Sequence, residues 1–410
     1  MAFGLYLHIP FCATKCPYCD FNTYQGILTL LPTYLEALRR EILLWGEALQ
    51  HRTADTLYLG GGTPSLLSPC QLASLLDTVR TAFRVAPGAE VTAEANPDDI
   101  TLEWCAGARQ AGINRLSIGV QSLNDRHLRL LGRRHTARDA QAAYATARQA
   151  GFTNINLDLM FGLPYQTLED WQETLQQAVA LRPEHLSAYC LTLEEGTPLE
   201  HWVRQGRLPT PDPDLSADMY TWAEAFLEQE GYQHYEISNW SRPGYLSRHN
   251  LLYWTGGEYL GCGPGAHSYL GGVRFANLKS PQRYIRALGG VPRSFPGWEK
   301  LPGWLAVEWA EALDPWTQVE EALMLGLRLV EGVSWESVER RCGVAITAAL
   351  TPLWDEVEGL GLVERTEGGI RLTPRGRLLG NEVFWRIAGF CQRQRTSALV
   401  RRYHNHGKGV

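Results

Sequence analysis

Strand-like apolar runs alternate with stretches of helical periodicity through the first half of the chain. The runs are Leu5 to Ile9, Thr56 to Gly60, Glu90 to Ala95, Arg115 to Val120, Asn154 to Met160 and His185 to Leu191. Between them, apolar positions recur at helical spacing in Tyr34 to Leu49, Gln71 to Ala82, Leu102 to Ala111, Ala137 to Ala150 and Leu168 to Ala180. This order predicts βαβ units on a parallel sheet. Right-handed crossovers would curl six such units into an α/β partial (β/α)6 barrel over residues 1–200.

The pattern weakens in an accessory region, 201–312, which includes a Trp- and Pro-rich stretch around Pro292 to Pro302. Helical periodicity returns at Trp316 to Val330, Ser334 to Cys342 and Ala348 to Leu360. A hairpin follows, Leu362 to Arg365 and Gly369 to Leu372, joined through Glu367-Gly368. Three helices and a hairpin over 313–385 predict a winged-helix-like domain. Such a module can read DNA, but Trp335-Glu336-Ser337-Val338-Glu339 puts acids on the recognition helix, which phosphate would repel. A packing or partner-docking role is expected instead. Residues 386–410, locally basic from Arg393 to Lys408, read as a solvated tail.

Composition narrows the class. A chain of 410 residues exceeds what one hydrophobic core usually organises, so two or more domains are expected. A net charge of −6 argues against a general nucleic-acid-binding surface. The opening Met-Ala-Phe-Gly-Leu-Tyr-Leu has no basic segment before it and reads as a first strand, neither signal peptide nor membrane span. A cytoplasmic, enzyme-like protein is the expectation.

The most specific chemistry lies in Cys12-Ala-Thr-Lys-Cys16-Pro-Tyr-Cys19. A four-iron cubane normally takes four thiolates, so a compact CxxxCxxC set reserves one iron for an exogenous ligand. The alternatives are zinc and disulfides. Zinc needs four donors, and His8 and Asp20 complete no familiar Cys/His spacing. A disulfide framework belongs to short secreted chains, whereas this long chain has nine cysteines, an odd number. The other six, Cys70, Cys105, Cys190, Cys262, Cys342 and Cys391, read as buried thiols.

In barrels of this type function sits at the carboxyl ends of the strands, and polar or glycine-rich residues fall there repeatedly. Strand one ends at the cysteine loop, strand two at Gly60-Gly61-Gly62-Thr63-Pro64, strand three at Glu94 and Asn96, strand four at Gln121, and strand five near Asp158 and Gly162-Leu163-Pro164. The glycine run would let backbone groups approach a ligand's ammonium or carboxylate. Glu94 and Asp158 can accept from ribose hydroxyls or the ammonium, and Arg133 can pair with a carboxylate.

With these residues in hand, the chain resembles the radical S-adenosylmethionine superfamily, in particular the group around oxygen-independent coproporphyrinogen III oxidase. Tyr6-Leu7-His8-Ile9-Pro10-Phe11-Cys12 is similar to that group's Tyr-x-His-x-Pro-Phe-Cys lead-in. The resemblance implies a [4Fe-4S] cluster on Cys12, Cys16 and Cys19. It also implies S-adenosylmethionine contacts from Tyr6, Tyr18, Gly61, Gly62, Thr63, Glu94, Gln121, Arg133 and Asp158. The implied chemistry is reductive cleavage of the sulfonium to a 5′-deoxyadenosyl radical. Two departures separate the chain from the oxidase group. Phe21 stands where that group has a further cysteine, and only eleven residues precede Cys12 where that group has a longer segment.

A second resemblance lies in Arg248-His249-Asn250-Leu251-Leu252-Tyr253-Trp254, which is similar to the His-Asn-x-x-Tyr-Trp motif of the HemW heme-chaperone family. It implies heme binding, with His249 as an axial imidazole and Tyr253 and Trp254 over the macrocycle. Residue by residue, a hydrogen-bonded histidine in an aromatic cluster is the competing reading. Gly261-Cys262-Gly263-Pro264-Gly265-Ala266-His267-Ser268 reads as a flexible turn that would close over the adenine end. The expected function is therefore holding heme and passing it to acceptor hemoproteins. Porphyrinogen decarboxylation is the alternative, and a redox-sensing winged-helix regulator a third reading. The resemblance further implies an electron donor, respiratory acceptors and a homodimer.

Overall fold

The computed structural model of the chain describes residues 2–290 and 294–406, with side chains through 396. Residues 291–293, within the start of the Pro-rich stretch, and the end of the basic tail lie outside the described residues. The six expected strands form as β1 (Phe3–Ile9), β2 (Thr53–Gly61), β3 (Arg84–Ala95), β4 (Arg115–Gln121), β5 (Ile155–Phe161) and β6 (His185–Cys190). They lie side by side in chain order and all pair in parallel. The helices Leu31–Ala48, Pro69–Ala82, Leu102–Ala111, Ala137–Gln149 and Leu168–Ala180 make the crossovers of an α/β partial barrel.

Local sequence explains where these helices start. Ser68, Thr136 and Thr167 each accept from the backbone three residues on, and the side chains of Gln71, Asp139 and Asp170 return a bond to the cap. Each reciprocal pair satisfies two donors that a helix start otherwise leaves open.

The strands themselves show an alternation that parallel sheets usually lack. Leu5, Leu7, Ile9, Leu57, Leu59, Ala93, Leu116, Ile118, Ile155, Leu157 and Leu159 are buried together with the helix residues Leu38, Trp45, Leu75, Val79, Ala108, Ala147 and Trp171. Removing a side chain such as leucine from water stabilises by roughly 1.5–3 kcal/mol, so this outer layer dominates the fold. The intervening positions are Tyr6 and His8, Thr56 and Tyr58, Thr92 and Glu94, Arg115 and Ser117, Asn156 and Asp158, His185 and Ser187. A polar bore results.

The sheet extends beyond the six expected strands. Its order among the described residues is β12-β11-β10-β9-β1-β2-β3-β4-β5-β6-β8-β7. The added strands are β7 (Gln233–Glu236), β8 (Asn239–Ser241), β9 (Glu258–Cys262), β10 (His267–Leu270), β11 (Val273–Asn277) and β12 (Val307–Ala312). β9 runs parallel to β1, pairing Tyr6 with Gly261 and Leu7 with Cys262. The expected flexible turn from Gly261 is therefore half strand. Its glycine at 261 is demanded by packing, because a Cβ there would meet the His267 carbonyl across the sheet.

By contacts the chain divides into two compact units. One comprises Met1–His234, Ser238–His249 and Glu258–Glu311; the other comprises Tyr235–Ile237, Asn250–Gly257 and Ala312–Val410. Most of the expected accessory region 201–312 thus belongs to the first unit. The second holds the helices Pro315–Gly326, Trp335–Cys342 and Thr347–Gly359 and a three-stranded sheet. That sheet has the order β13 (Val333–Ser334), β15 (Gly369–Leu372), β14 (Val363–Thr366). Leu323, Leu350, Trp354, Val357, Ile370 and Ile387 form its separate core.

Two expectations change here. The solvated tail assigned to 386–410 begins inside a helix, Gly380–His406, because Val383, Ile387 and Cys391 recur at helical spacing and are buried in that core. Arg395 adds an ion pair to Glu320 at 2.6 Å. Of the six cysteines expected to be buried, Cys70 and Cys190 are exposed, each lying at an end of its element. No helix of the described residues is long and apolar enough to cross a membrane.

Candidate cofactor site at the mouth of the barrel

The cysteine loop leaves β1 at Ile9 and folds back at once. Phe11 bridges Tyr24, the Cys12 amide donates to the Tyr24 carbonyl (3.0 Å), and the Tyr24 amide donates to the Pro10 carbonyl (2.8 Å). Lys15, between the first two cysteines, ties the loop from within. Its Nζ donates to the carbonyls of Phe21 (3.3 Å) and Thr23 (3.2 Å), and its amide donates to Gln25 Oε1 (2.9 Å). Asn22 anchors the far side by donating to the carbonyls of Pro264 (2.9 Å) and Lys279 (3.0 Å). The Gly263 to Ala266 turn thus seats the cysteine loop.

Cys12, Cys16 and Cys19 are unbridged thiols. Burial raises the Cys12 and Cys19 thiols above their usual range. Two of the sulfurs face donors from other loops. Thr63 Oγ1 donates to Cys12 Sγ (3.6 Å) and Arg133 Nη1 to Cys16 Sγ (3.5 Å). Asn96 joins these two contacts: its Nδ2 donates to Thr63 Oγ1 (3.3 Å) and its Oδ1 accepts from Arg133 Nη2 (2.6 Å). One chain of bonds, Cys12–Thr63–Asn96–Arg133–Cys16, therefore stitches together the loops after β1, β2, β3 and the helix Asp125–Leu130. Asn96 was visible in the sequence as a polar residue at a strand end, but nothing there marked it as the joint. Arg133 also donates to the Gly119 carbonyl (2.8 Å), and its Nε is buried without a partner.

The described residues contain no group of three His, Cys, Asp or Glu side chains gathered to hold a single ion. A cubane asks something different, one thiolate per iron, with donors aimed at the sulfurs. Three free thiols on a pinned loop, two of them facing donors from other loops, fit that demand.

The remaining predicted residues line the bore. In strands that are otherwise buried through their final turns, the half-buried positions are Tyr6 in β1, Tyr58 and Gly61 in β2, Glu94 in β3, Gly119 and Gln121 in β4 and Asp158 in β5. Tyr58 donates to Glu94 Oε1 (2.9 Å) and the Gly61 amide to Glu94 Oε2 (3.0 Å). Enclosure in protein, then the nearby Asp158 carboxylate, push Glu94 up to about 7. Asp158 accepts from Ser117 (2.9 Å) and Asn156 (2.8 Å) and is also raised by burial.

Gln121 takes a left-handed backbone, φ 65°, where the β4–β5 register slips between Gly119 and Gln121. Such strained bulges turn a side chain aside and are held in place at sites. The glycines have reasons within the chain. Gly61 has φ 107°, and a Cβ there would strike the His8 ring, while one at Gly62 would strike the carbonyls of Ile9 and Phe11. Tyr18 stands beside Cys16 and packs against Leu131, Met160, Leu163, Leu191 and Leu199; burial raises its phenol.

His249 is placed differently. It begins the helix Arg248–Trp254, and the amides of Arg248 and His249 donate to the two Glu90 oxygens, each at 3.0 Å. Its ring is 1% exposed, with Nδ1 2.8 Å from Thr56 Oγ1, and lies stacked on Tyr58 at 5.1 Å and 23°. Burial, then Arg115, lower this imidazole to about 3. The imidazole expected as an axial ligand is held by polar strand residues at the floor of the bore. Tyr253 and Trp254 are half-buried in the other unit, where the Arg328 guanidinium lies 4.9 Å over the Trp254 ring.

On the winged unit, the expected recognition helix has its charges engaged. Glu336 pairs with Arg340, and Glu339 accepts from the Ile346 and Thr347 amides.

Residues 6–178 match the Radical SAM superfamily and residues 313–379 the HemN C-terminal domain. A protein of Mycobacterium tuberculosis named heme chaperone HemW is 41% identical over 94% of this chain and 95% of its own. The Bacillus subtilis protein of the same name is 36% identical over 94% and 98%. Among solved structures, coproporphyrinogen III oxidase HemN of Escherichia coli superposes with a TM-score of 0.80 at 27% identity, over 94% of this chain and 90% of its own. The superfamily implies an iron–sulfur cluster and S-adenosylmethionine, and the near full-length likeness sets the branch: the chain belongs to the HemW family of radical SAM proteins.

Proposed function

We propose that this protein is a heme chaperone that binds heme and transfers it to acceptor hemoproteins, with a [4Fe-4S] cluster and S-adenosylmethionine held at the mouth of its barrel. The observation that carries this reading is the likeness along almost the whole length of both chains to relatives named heme chaperones. The oxidase reading is less well supported, because Phe21, 65% exposed beside the cysteine loop, replaces the further cysteine of that group. Respiratory acceptors, an electron donor, a homodimeric state and a cytoplasmic location are parts of the same proposal.

Cys12, Cys16 and Cys19 would hold the cluster. When bound, it supplies reducing power to the sulfonium of the nucleotide. The protein's own contribution is positional. Lys15 and Asn22 fix the loop, and Thr63 and Arg133 direct donors at two sulfurs. The residues proposed for S-adenosylmethionine are Tyr6, Tyr18, Gly61, Gly62, Thr63, Glu94, Gln121, Arg133 and Asp158. Below their titrations Glu94 and Asp158 are neutral; above them they accept from an ammonium or from ribose hydroxyls. Tyr253 and Trp254 are proposed to contact the heme macrocycle.

The test is a transfer assay. Heme-loaded protein mixed with an apo-hemoprotein should give the acceptor's holo absorbance spectrum. The reduced protein given S-adenosylmethionine and coproporphyrinogen III should form no protoporphyrinogen IX. Product formation without heme transfer would reverse the assignment.

A further inference from the structure

The floor of the bore and its mouth are joined by a continuous set of contacts within the first unit. Thr56 and Tyr58 lie two apart on β2, and Glu90 and Glu94 four apart on β3, so all four project from the same face of the sheet. The lower pair, Thr56 and Glu90, holds His249: one at its ring nitrogen, the other at its amide. The upper pair is Tyr58 and Glu94, bonded at 2.9 Å. The His249 ring links the two levels by lying flat on Tyr58. Tyr58 also stacks on Tyr6 at 6.2 Å and 29°, and the Tyr6 hydroxyl is 2.9 Å from His8 Nδ1.

Tyr58 thus packs against two rings. Rotation would break its bond to Glu94, and the two rings are what oppose rotation. Glu94 has its own second tether in the Gly61 amide, and Gly60 makes room for the pair, since a Cβ there would meet both the Tyr58 ring and Glu94 Oε1.

We propose that Tyr58 and His249 are positioning residues for Glu94, so that the histidine of the His-Asn-x-x-Tyr-Trp motif acts on the S-adenosylmethionine site through the Tyr58 ring. The inference rests on the reading of the bore as that site. His249 supplies a rigid aromatic backstop, pinned by Thr56 and by the Glu90-capped helix start. Tyr58 supplies the hydroxyl that selects one orientation of the carboxylate. Neither needs to touch the ligand.

Titration of S-adenosylmethionine into anaerobically reconstituted protein decides the matter, with iron content and heme affinity measured on each variant. Tyr58→Phe, which keeps the ring and deletes the hydroxyl, should weaken binding about tenfold, as expected for loss of a hydrogen bond to a charged acceptor. His249→Ala should weaken it about fivefold, and His249→Phe, which restores a flat ring against Tyr58, should return it to within about twofold of the parent. Iron content and heme affinity should hold in all three. Unchanged binding by Tyr58→Phe would overturn the proposal, as would a His249→Phe variant no better than His249→Ala. If His249→Ala does not fold, Tyr58→Phe alone decides. A parent protein that takes up no S-adenosylmethionine would overturn the site reading itself and this inference with it.

Discussion

The two motifs that stand out in the sequence, the cysteine loop and the His249 segment, meet opposite treatment in the fold. The thiols are carried on a loop beyond the strand ends, half-exposed, with donors brought to two of the sulfurs from other loops. The imidazole is carried inward, almost without exposure, and is satisfied by residues of the strands. Both segments have residue types suited to binding a metal centre. What separates them is whether the local backbone delivers the side chain to a free surface or to the interior. A thiol facing spare donors is prepared for a ligand; a stacked, hydrogen-bonded imidazole is prepared to hold its neighbours.

Breaking the mouth should have the largest effect. Cys16→Ala should lose essentially all of the roughly four irons expected per chain after anaerobic reconstitution, while its far-ultraviolet spectrum stays that of the parent. Retention of a full cluster would remove Cys16 from the ligand set.

A second carboxylate sharpens the contrast between bore and core. Glu41, fully buried in the helix Leu31–Ala48, accepts from the Gly263 amide (2.8 Å), Asn277 Nδ2 (2.7 Å) and the Tyr284 hydroxyl, and burial raises it to about 7. The folded state therefore keeps a proton that the unfolded chain gives up near 4.5. That stabilising difference is fully present below about 4.5 and is lost as pH rises through about 7, a change on the order of 3 kcal/mol. Urea unfolding of the metal-free protein at pH 5 and pH 8 should show this decline, and Glu41→Gln should flatten it. An equal decline in both proteins would place its origin elsewhere.

Breaking the floor should cost stability and spare the cluster. Glu90→Ala leaves the amides of Arg248 and His249 without their acceptor, a loss of about 2 kcal/mol in the unfolding free energy from urea titration, with iron content unchanged. If iron content falls with stability, the two ends of the bore are not separable. At the small end, the winged unit should give no salt-dependent retention of duplex DNA, because the acids and arginines of its helix Trp335–Cys342 are already engaged with each other or with nearby backbone. Binding that weakens steeply with salt would restore a nucleic-acid role.

Much of this was legible in advance because it rests on short-range pattern. The strands, their crossover helices and the winged hairpin follow from periodicity and caps, and the site residues recur at strand ends. The added strands β7 to β12 were not legible: they are short, and β9 pairs with β1 from some 250 residues away. The fate of Cys391 and its helix was hidden by the basic composition of the segment, although Val383, Ile387 and Cys391 carried the helical spacing. A usable signal was missed within the strands. The sequences Leu5-Tyr6-Leu7-His8-Ile9 and Ile155-Asn156-Leu157-Asp158-Leu159 alternate strictly, which in parallel strands marks a polar interior. Glu41, spaced with Tyr34, Leu38 and Trp45, likewise stood on the apolar face.

The proposed function depends most on three thiolates gripping a cube that leaves one iron open to the nucleotide. Mössbauer spectroscopy of the anaerobically reconstituted protein, with and without S-adenosylmethionine, measures this directly. One iron site should be distinct from the other three, with parameters that change when S-adenosylmethionine is added. Four equivalent sites that ignore the addition would contradict it.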